Sequence, residues 1–532
     1  MKRNRHIVLF ALASLFVLLY PCFMGGTFYS YDAMAHFQRM KDINNQLYHI
    51  NMPPLFDYYS DNWYGYSWNM FYPPLSAYLM GLIKAFSLYS ISDVTQFKIS
   101  IAVIIIIAFA SMYLSSFTVL RCRYYAAIAA ILFVGSGYFL NDAYIRIDAG
   151  ELMAMAFAPM IITGARAIVK DDEGKALFPL GVLAVLLSNI PSFIVCLIYI
   201  TLYFTINIRM AANKQNLIYI AKCIIFVSAS SLFFTIPLIY HFFKGDVFAF
   251  HALAVSYNTI GKFGVSITEL IFSEPLTTGM TTKGLVISSG LVLNILLFCY
   301  LFKSFIPDSL ETKSIAIIAL LFFAASTNLF PWYMISEKTP LIRFIQFPWR
   351  LMLIAVPATV IVSVFFLKSI NSTILNATIL TFSFIFSFFP MQSAMQNRVD
   401  EIRHHEFHDY MNTDFEDAKE RNISKIQEIK NKPYLLAISH SWSSITFKVS
   451  APASGEIELP VMYYAGYEAK YNGSKIPVSS SEDGITIING PIQGDVELSY
   501  NKLITLIPFI FSSLFILLSL LLYLRKSLKK PH

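Results

Sequence analysis

Ten apolar runs limit what this chain can become. They lie near residues 7–23, 97–119, 124–140, 151–168, 217–240, 285–303, 314–330, 349–368, 373–390 and 501–524. Each is long enough to cross about 30 Å of hydrocarbon as a helix. Inside a bilayer only helices and closed barrels satisfy every backbone N–H and C=O, and runs of this length predict helices. Composition excludes a soluble domain: 56% of the 532 residues are hydrophobic, 14% are charged, and the mean hydropathy is +0.57. The net charge of +7 therefore reads as a topology signal, and no nucleic-acid patch is visible.

Two further stretches are shorter or broken. Residues 73–90 follow Tyr72-Pro73 and carry Lys84, which fits an interfacial helix. Residues 176–208 are interrupted by Ser188-Asn189-Ile190-Pro191 and read as a short hairpin. The positive-inside rule favours this pair of readings. With 73–90 spanning and 176–208 crossing once, Arg121, Arg123, Arg166, Lys170 and Lys175 fall outside. With the interfacial helix and the hairpin, all five fall inside with Arg209, Lys214, Lys303, Lys368 and Arg525-Lys526. The result is a polytopic α-helical membrane protein of about 12 spans, with both termini cytoplasmic. Residues 24–96, 141–150, 241–284, 331–348 and 391–500 then share the outer face. A retained first helix is expected, since Tyr20-Pro21-Cys22 is a poor signal-cleavage site. Cys22, Cys122, Cys196, Cys223 and Cys299 form no C-x-x-C pair and indicate neither disulfides nor a zinc site.

Past residue 390 the pattern changes. Residues 391–433 are polar, and in 441–500 Ile445, Phe447 and Val449 alternate with polar residues, with similar runs at 456–464, 485–489 and 495–500. Asn472-Gly473, Asp483-Gly484 and Asn489-Gly490 supply turns. The expected organisation is a transmembrane domain over 1–390, an extracytoplasmic domain over 391–500 with a small β-sandwich at 441–500, and a final span with a basic tail over 501–532.

Three outer segments concentrate the charge. In Tyr31 to Arg39, Asp32, His36 and Arg39 are spaced four and three apart and share one side of a short helix. The acid can take a proton or hold a cation, and the two bases can grip an anionic head group. An interfacial amphipathic helix would carry the same charges. In Asn141 to Glu151, Asp148 and Glu151 face one way on a helical turn with Arg146 close by, as a cation site, a general base or simple helix caps. In Arg343 to Arg350, Arg350 stands near a helix N-terminus, where the dipole disfavours a cation. A lipid phosphate between the two would reconcile them, and a snorkelling arginine beside Trp349 is the alternative. His404 and His408 are four apart without a third ligand, so no metal site is assigned. Tyr463, Tyr464 and Tyr467 can stack on sugars or pack the β-domain.

Taken in order, these segments resemble a known family. Asp32-x-x-x-His36-x-x-Arg39 resembles the first-outer-loop signature of oligosaccharyltransferase catalytic subunits. The run Ala126 to Glu151, with Gly137-Tyr138-Phe139-Leu140 ahead of Arg146, Asp148, Gly150 and Glu151, is similar to that family's second-loop segment. Tyr72-Pro73-Pro74-Leu75, Gln346 to Arg350 and the β-domain resemble a bacterial branch of membrane proteins labelled as related to 6-pyruvoyl-tetrahydropterin synthase, in the same GT-C glycosyltransferase superfamily. Nothing in the chain resembles a soluble pterin enzyme. A W-W-D-type motif is missing from the C-terminal domain, which argues against peptide as acceptor.

The resemblance implies a GT-C fold in the bacterial inner membrane. It also implies sugar transfer from a polyprenyl-phosphate or polyprenyl-diphosphate donor to an extracytoplasmic glycan or lipid acceptor. Asp32 is then the expected base. Asp148 and Glu151 orient the sugar or, with Asp32, hold a divalent metal such as Mg or Mn. His36, Arg39, Tyr72, Arg146, Arg343 and Arg350 form the expected substrate-binding set. Rival readings are a flippase for lipid-linked saccharide and a non-catalytic envelope assembly subunit. The charges cluster in loops and no repeat is visible, unlike most transporters.

Overall fold

A computed structural model of the chain describes residues 2–55, 65–252, 259–272, 285–303, 309–396, 398–400, 402, 409–417, 419–441, 444–452 and 454–528. His404 and His408 lie outside the described residues. The fold is mostly helical, and the chain is a multi-pass membrane protein. Among the described residues five helices are long and apolar enough to cross a bilayer: Asp93–Leu120, Ala149–Lys170, Lys214–Lys244, Pro348–Ile370 and Leu506–Arg525. A bent pair, Arg123–Val134 and Gly137–Arg146, makes a sixth candidate, with 50° between its halves.

Among the described residues shorter apolar helical stretches cover Leu9–Phe23, Leu75–Phe86, Leu177–Leu186, Ile190–Ile206, Leu291–Phe302 and Thr373–Ser387, the first and last lying within the longer helices Lys2–Phe23 and Thr373–Gln396. A helix of 12 residues, such as Leu75–Phe86, rises only about 18 Å, less than the hydrocarbon thickness. The stretch 176–208 does break where its sequence demands. Asn189 caps the second helix by accepting the Ser192 N–H at 3.0 Å, and Pro191 occupies the first turn, where its missing N–H does no harm.

The residues cluster into two compact units, each gathered from separated stretches. The first comprises Met1–Phe37, Ile91–Val227 and Ala254–His404, the second Gln38–Ser90, Ser228–Leu253 and His405–His532. At the centre of the first unit are Ala149–Lys170 and Pro348–Ile370, buried over 94% and 89% of their apolar windows. Ala149–Lys170 runs against Leu177–Leu186 almost backbone to backbone. A Cβ on Gly164 would lie 2.3 Å from the Phe178 nitrogen, and one on Gly181 would lie 3.0 Å from the Ile161 nitrogen. Small residues permit such approach where lipid supplies no hydrophobic drive between helices. Thr27–Phe28 pairs antiparallel with Arg398–Val399, and the Arg398 side chain donates to the carbonyls of Pro21, Met24, Gly25 and Gly26.

The second unit combines outlying helices with two antiparallel sheets. Its Leu506–Arg525 window is only 11% buried, the mark of a lipid-facing helix. Ser512 anchors it by donating to the Ala229 carbonyl at 2.9 Å. The five-stranded sheet runs in the order Leu435–His440, Ser444–Ala451, Ile492–Tyr500, Tyr467–Tyr471, Ser474–Ile476; the three-stranded sheet in the order Glu456–Met462, Ile485–Asn489, Val478–Ser480. Ile445, Phe447 and Val449 are buried, as their alternation requires. Asn472-Gly473, both at positive φ, closes the two-residue hairpin that joins Tyr471 to Ser474. Tyr464 and Tyr467 are packed inside rather than displayed to a ligand. Tyr464 Oη donates to the Tyr410 carbonyl at 2.7 Å, and Phe71 lies edge-on to the buried His241. His241 in turn pairs with Asp246 at 2.9 Å and with the Tyr500 hydroxyl.

Candidate active site

Within the first unit the two leading charged loops meet at one hydroxyl. The Tyr31–Tyr48 helix starts at Ser30, whose carbonyl accepts the Met34 N–H at 3.1 Å and whose Oγ accepts the Ala33 N–H at 2.9 Å. The same Oγ donates to the Arg146 carbonyl at 2.5 Å. One side chain therefore caps the helix that carries Asp32 and fixes the loop that carries Arg146.

The second loop is built with strain. After Gly137–Asn141 the chain widens into a π-turn over Asp142–Arg146, and Ile147 then adopts φ +61°. A β-branched residue resists that region, and such outliers persist where surrounding structure over-determines them. Ile147 is fully buried, and its reversal returns Arg146 to the residues just after it. Asp148 follows as the cap of Ala149–Lys170, its Oδ1 accepting the N–H groups of Gly150 at 3.0 Å and Glu151 at 2.9 Å.

Arg146 sits among the acids. Its Nε lies 2.9 Å from Asp32 Oδ2, Nη2 lies 3.0 Å from Asp148 Oδ2, and Nη1 lies 2.6 Å from Glu151 Oε2 and 3.4 Å from Asp142 Oδ1. His36 Nε2 is 3.1 Å from Asp148 Oδ1. Arg350 approaches from the third segment, its Nε donating to Glu151 Oε2 at 2.8 Å. A γ-turn aims it: Gln346 has φ +65° and ψ −50°, the Phe347 N–H reaches back to the Ile345 carbonyl at 2.8 Å, and Gln346 Oε1 accepts from Arg350 Nη1. The anion beside Arg350 is thus Glu151. The other oxygen of Glu151, Oε1, accepts from the Tyr138 hydroxyl.

Asp32, His36, Arg146, Asp148, Glu151 and Arg350 accordingly come together. Arg39 and Tyr72 meet instead in the second unit, with the Tyr72 ring 4.3 Å from the guanidinium carbon. Arg343 donates to the Ser336 carbonyl at 3.4 Å. Ser30 and Asp142 belong to the cluster without having been singled out from sequence, and Tyr138 and Gln346, quoted there only as part of the resemblance, join it without having been given a role. The serine before a helical acid was the one readable signal, because serine is a preferred cap.

Asp32 differs from its neighbours in access. Its side chain keeps 32% of its surface, against 6% for Asp148 and none for Glu151. Burial nevertheless pushes the Asp32 carboxyl above the usual carboxylate range; the Asp148 charge adds to the rise and Arg146 opposes it. Asp148 goes the other way. Burial would raise it, but Arg146, the hydrogen bond and charge of His36, and Arg350 together hold it well below that range. The site thus pairs a reachable acid of raised proton affinity with a covered one that stays ionised.

A divalent ion does not fit this donor set as it stands. Asp148 Oδ1 serves two backbone N–H groups and His36, and Glu151 Oε2 lies between two guanidinium groups. Among the described residues no three His, Cys, Asp or Glu side chains converge as ligands.

No protein-family model matches the chain, and no curated protein matches it. Among solved structures it is similar to the arabinofuranosyltransferase AftD from mycobacteria, with a TM-score of 0.43, 15% identity, and coverage of 74% of this chain and 27% of that one. It is also similar to an Archaeoglobus fulgidus oligosaccharyltransferase tethered with an acceptor peptide, with a TM-score of 0.37, 12% identity, and coverage of 80% and 57%. The chain thus spans about a quarter of the first protein and just over half of the second.

Proposed function

We propose that this chain is a membrane glycosyltransferase of the GT-C type. It moves a sugar from a polyprenyl-phosphate-linked donor to a glycan or lipid acceptor on the outer side of a bacterial inner membrane, with both termini in the cytoplasm and the two sheets packed as an outer β-sandwich. The observation that carries the reading is Asp32: a reachable carboxylate, aligned through one oxygen by Arg146 at 2.9 Å, beside acids that are buried. The acceptor hydroxyl gives its proton to Asp32 as its oxygen bonds to the anomeric carbon. The bond from that carbon to the phosphate oxygen breaks, and its electron pair leaves with the polyprenyl phosphate. A phosphate is a good leaving group, so no general acid is required. Asp148 and Glu151 hold Arg146, and through it the base, in place, while Arg350 fixes Glu151.

The test is transfer of a radiolabelled sugar from a polyprenyl-phosphate donor by the purified full chain. Asp32→Asn keeps the shape and much of the hydrogen bonding but accepts no proton, so transfer is expected to fall by about 10²- to 10⁴-fold. Transfer close to that of the unmodified chain would return the reading to a flippase or an assembly subunit. A chelator is expected to leave the rate unchanged. A loss restored by Mg or Mn would instead show that the carboxylates exchange their arginines for an ion.

A further inference from the structure

The arginines expected to meet phosphate differ in what already surrounds them. Arg146 and Arg350 direct N–H groups at carboxylates, in a cluster where four carboxyl groups face two guanidinium groups. Each of these guanidinium groups thus already has its counter-charge.

Arg39 presents the reverse case. It is 1% exposed, and its partners within the second unit are uncharged. Nε donates to Asn69 Oδ1 at 3.2 Å, and Nη2 donates to the carbonyls of Tyr72 at 2.9 Å and Pro73 at 2.7 Å. Nη1 is buried and has no partner. Among the described residues no carboxylate forms an ion pair with it. Asp42, one turn along the helix, exerts a weaker charge effect on it than Tyr72, Tyr410 or Tyr78. Burial draws the group down to about 10, as befits a cation without a counter-charge. Buried charges are otherwise paired, because desolvation without compensation is strongly unfavourable. A guanidinium held by three neutral acceptors, with one nitrogen left unpaired, is preorganised for an anion.

We propose that Arg39 is the anion grip of this chain: it binds a phosphate group through Nη1, and the half-buried Tyr72 ring stacked on it shifts to admit the ligand. This deepens the reading of a phosphate-linked donor and rests on it. Phosphate suits the grip because several of its oxygens can accept hydrogen bonds, and neighbouring tyrosines can add hydroxyl donors. The source of the phosphate is either a polyprenyl phosphate head group or a free phosphate ion.

Binding, not transfer, tests the proposal. The full chain in nanodiscs is titrated with undecaprenyl phosphate and, separately, with inorganic phosphate, and occupancy is read by native mass spectrometry. Undecaprenyl phosphate is expected to bind the unmodified chain and the Asp32→Asn variant alike. In Arg39→Met and Arg39→Lys its affinity is expected to fall about 10- to 100-fold, the range for charge-assisted hydrogen bonds. Lysine keeps the charge but cannot serve Asn69, two carbonyls and an anion together, so Arg39→Lys carries the test if Arg39→Met does not fold. Displacement of undecaprenyl phosphate by inorganic phosphate would support the grip and extend it to the free ion; binding without displacement would support the grip and assign it to the lipid head group. Unaltered affinity in a folded Arg39 variant, or no binding of either probe to the unmodified chain, would overturn the proposal. Loss of binding in Arg39 variants of a chain that proves unable to transfer sugar would uphold the grip and sink the transferase reading instead.

Discussion

At Asp32 and Asp148, two carboxyl groups bound to the same guanidinium are driven in opposite directions, and the consequence is a pH dependence with a definite sign. A base works only when unprotonated. The transfer rate is therefore expected to fall as pH drops through the raised Asp32 value, above the usual carboxylate range, and Asp32→Asn should lack that limb. Asp148 contributes stability that is present above its unfolded value and is lost only as pH falls through its lowered folded value. Activity should thus disappear on acidification before the fold does, and a pH–rate profile set beside thermal midpoints at the same pH checks the order. The sequence made the acids and bases of this cluster visible, because charged side chains next to long apolar runs stand out. It did not reveal which arginine lacks an acid. Arg39 lies three residues beyond His36, and only the direction taken by each side chain separates a cation among carboxylates from one among carbonyls. The backbone reversals at Ile147 and Gln346 escaped notice for a related reason, since nothing in the identity of an isoleucine or a glutamine announces a positive φ.

Helices were legible from apolar periodicity and length, but their ends were not. The runs at 7–23 and 285–303 were read as spans; the first falls in the 22-residue helix Lys2–Phe23, whereas the second gives only Leu291–Phe302, short of a full crossing. An apolar run is a property of composition, whereas a helix also needs caps and a straight axis. At Gly135-Ser136 the axis bends by 50° within what read as one run over 124–140. The strand at 444–451 was legible because half-buried strands alternate, and that at 485–489 as a short apolar run before the turn at Asn489-Gly490, while Leu435–His440 and Val478–Ser480 carry little alternation and passed unseen. Contact between helices has its own sequence mark in small residues. Gly164→Ala would set a methyl 2.3 Å from a backbone nitrogen that cannot swing away, so it is expected to destabilise by about 1–3 kcal/mol. Gly25→Ala, with nothing within 4 Å of the added carbon, should leave the thermal midpoint in detergent where it was.

Contiguous boundaries at 390 and 500 suggest that the β-rich region could be cut out, yet its compact unit also draws on Gln38–Ser90 and Ser228–Leu253. A fragment of residues 391–500 would uncover Tyr464 and Tyr500 where they now meet Ser67, Phe71 and His241. It is expected to aggregate or remain unfolded, and a soluble fragment with dispersed amide resonances would refute that. The same interleaving also governs how the chain is made. Synthesis is vectorial, and residues 38–90 leave the ribosome more than 300 residues ahead of His405–His532, with which they share a unit. At about 5–20 residues per second they wait roughly 15 to 60 s for partners that do not yet exist. Throughout that interval the aromatic faces of Trp68 and Phe71 are exposed to whatever holding factors attend the nascent chain, and anything that slows elongation between residues 91 and 404 lengthens the exposure.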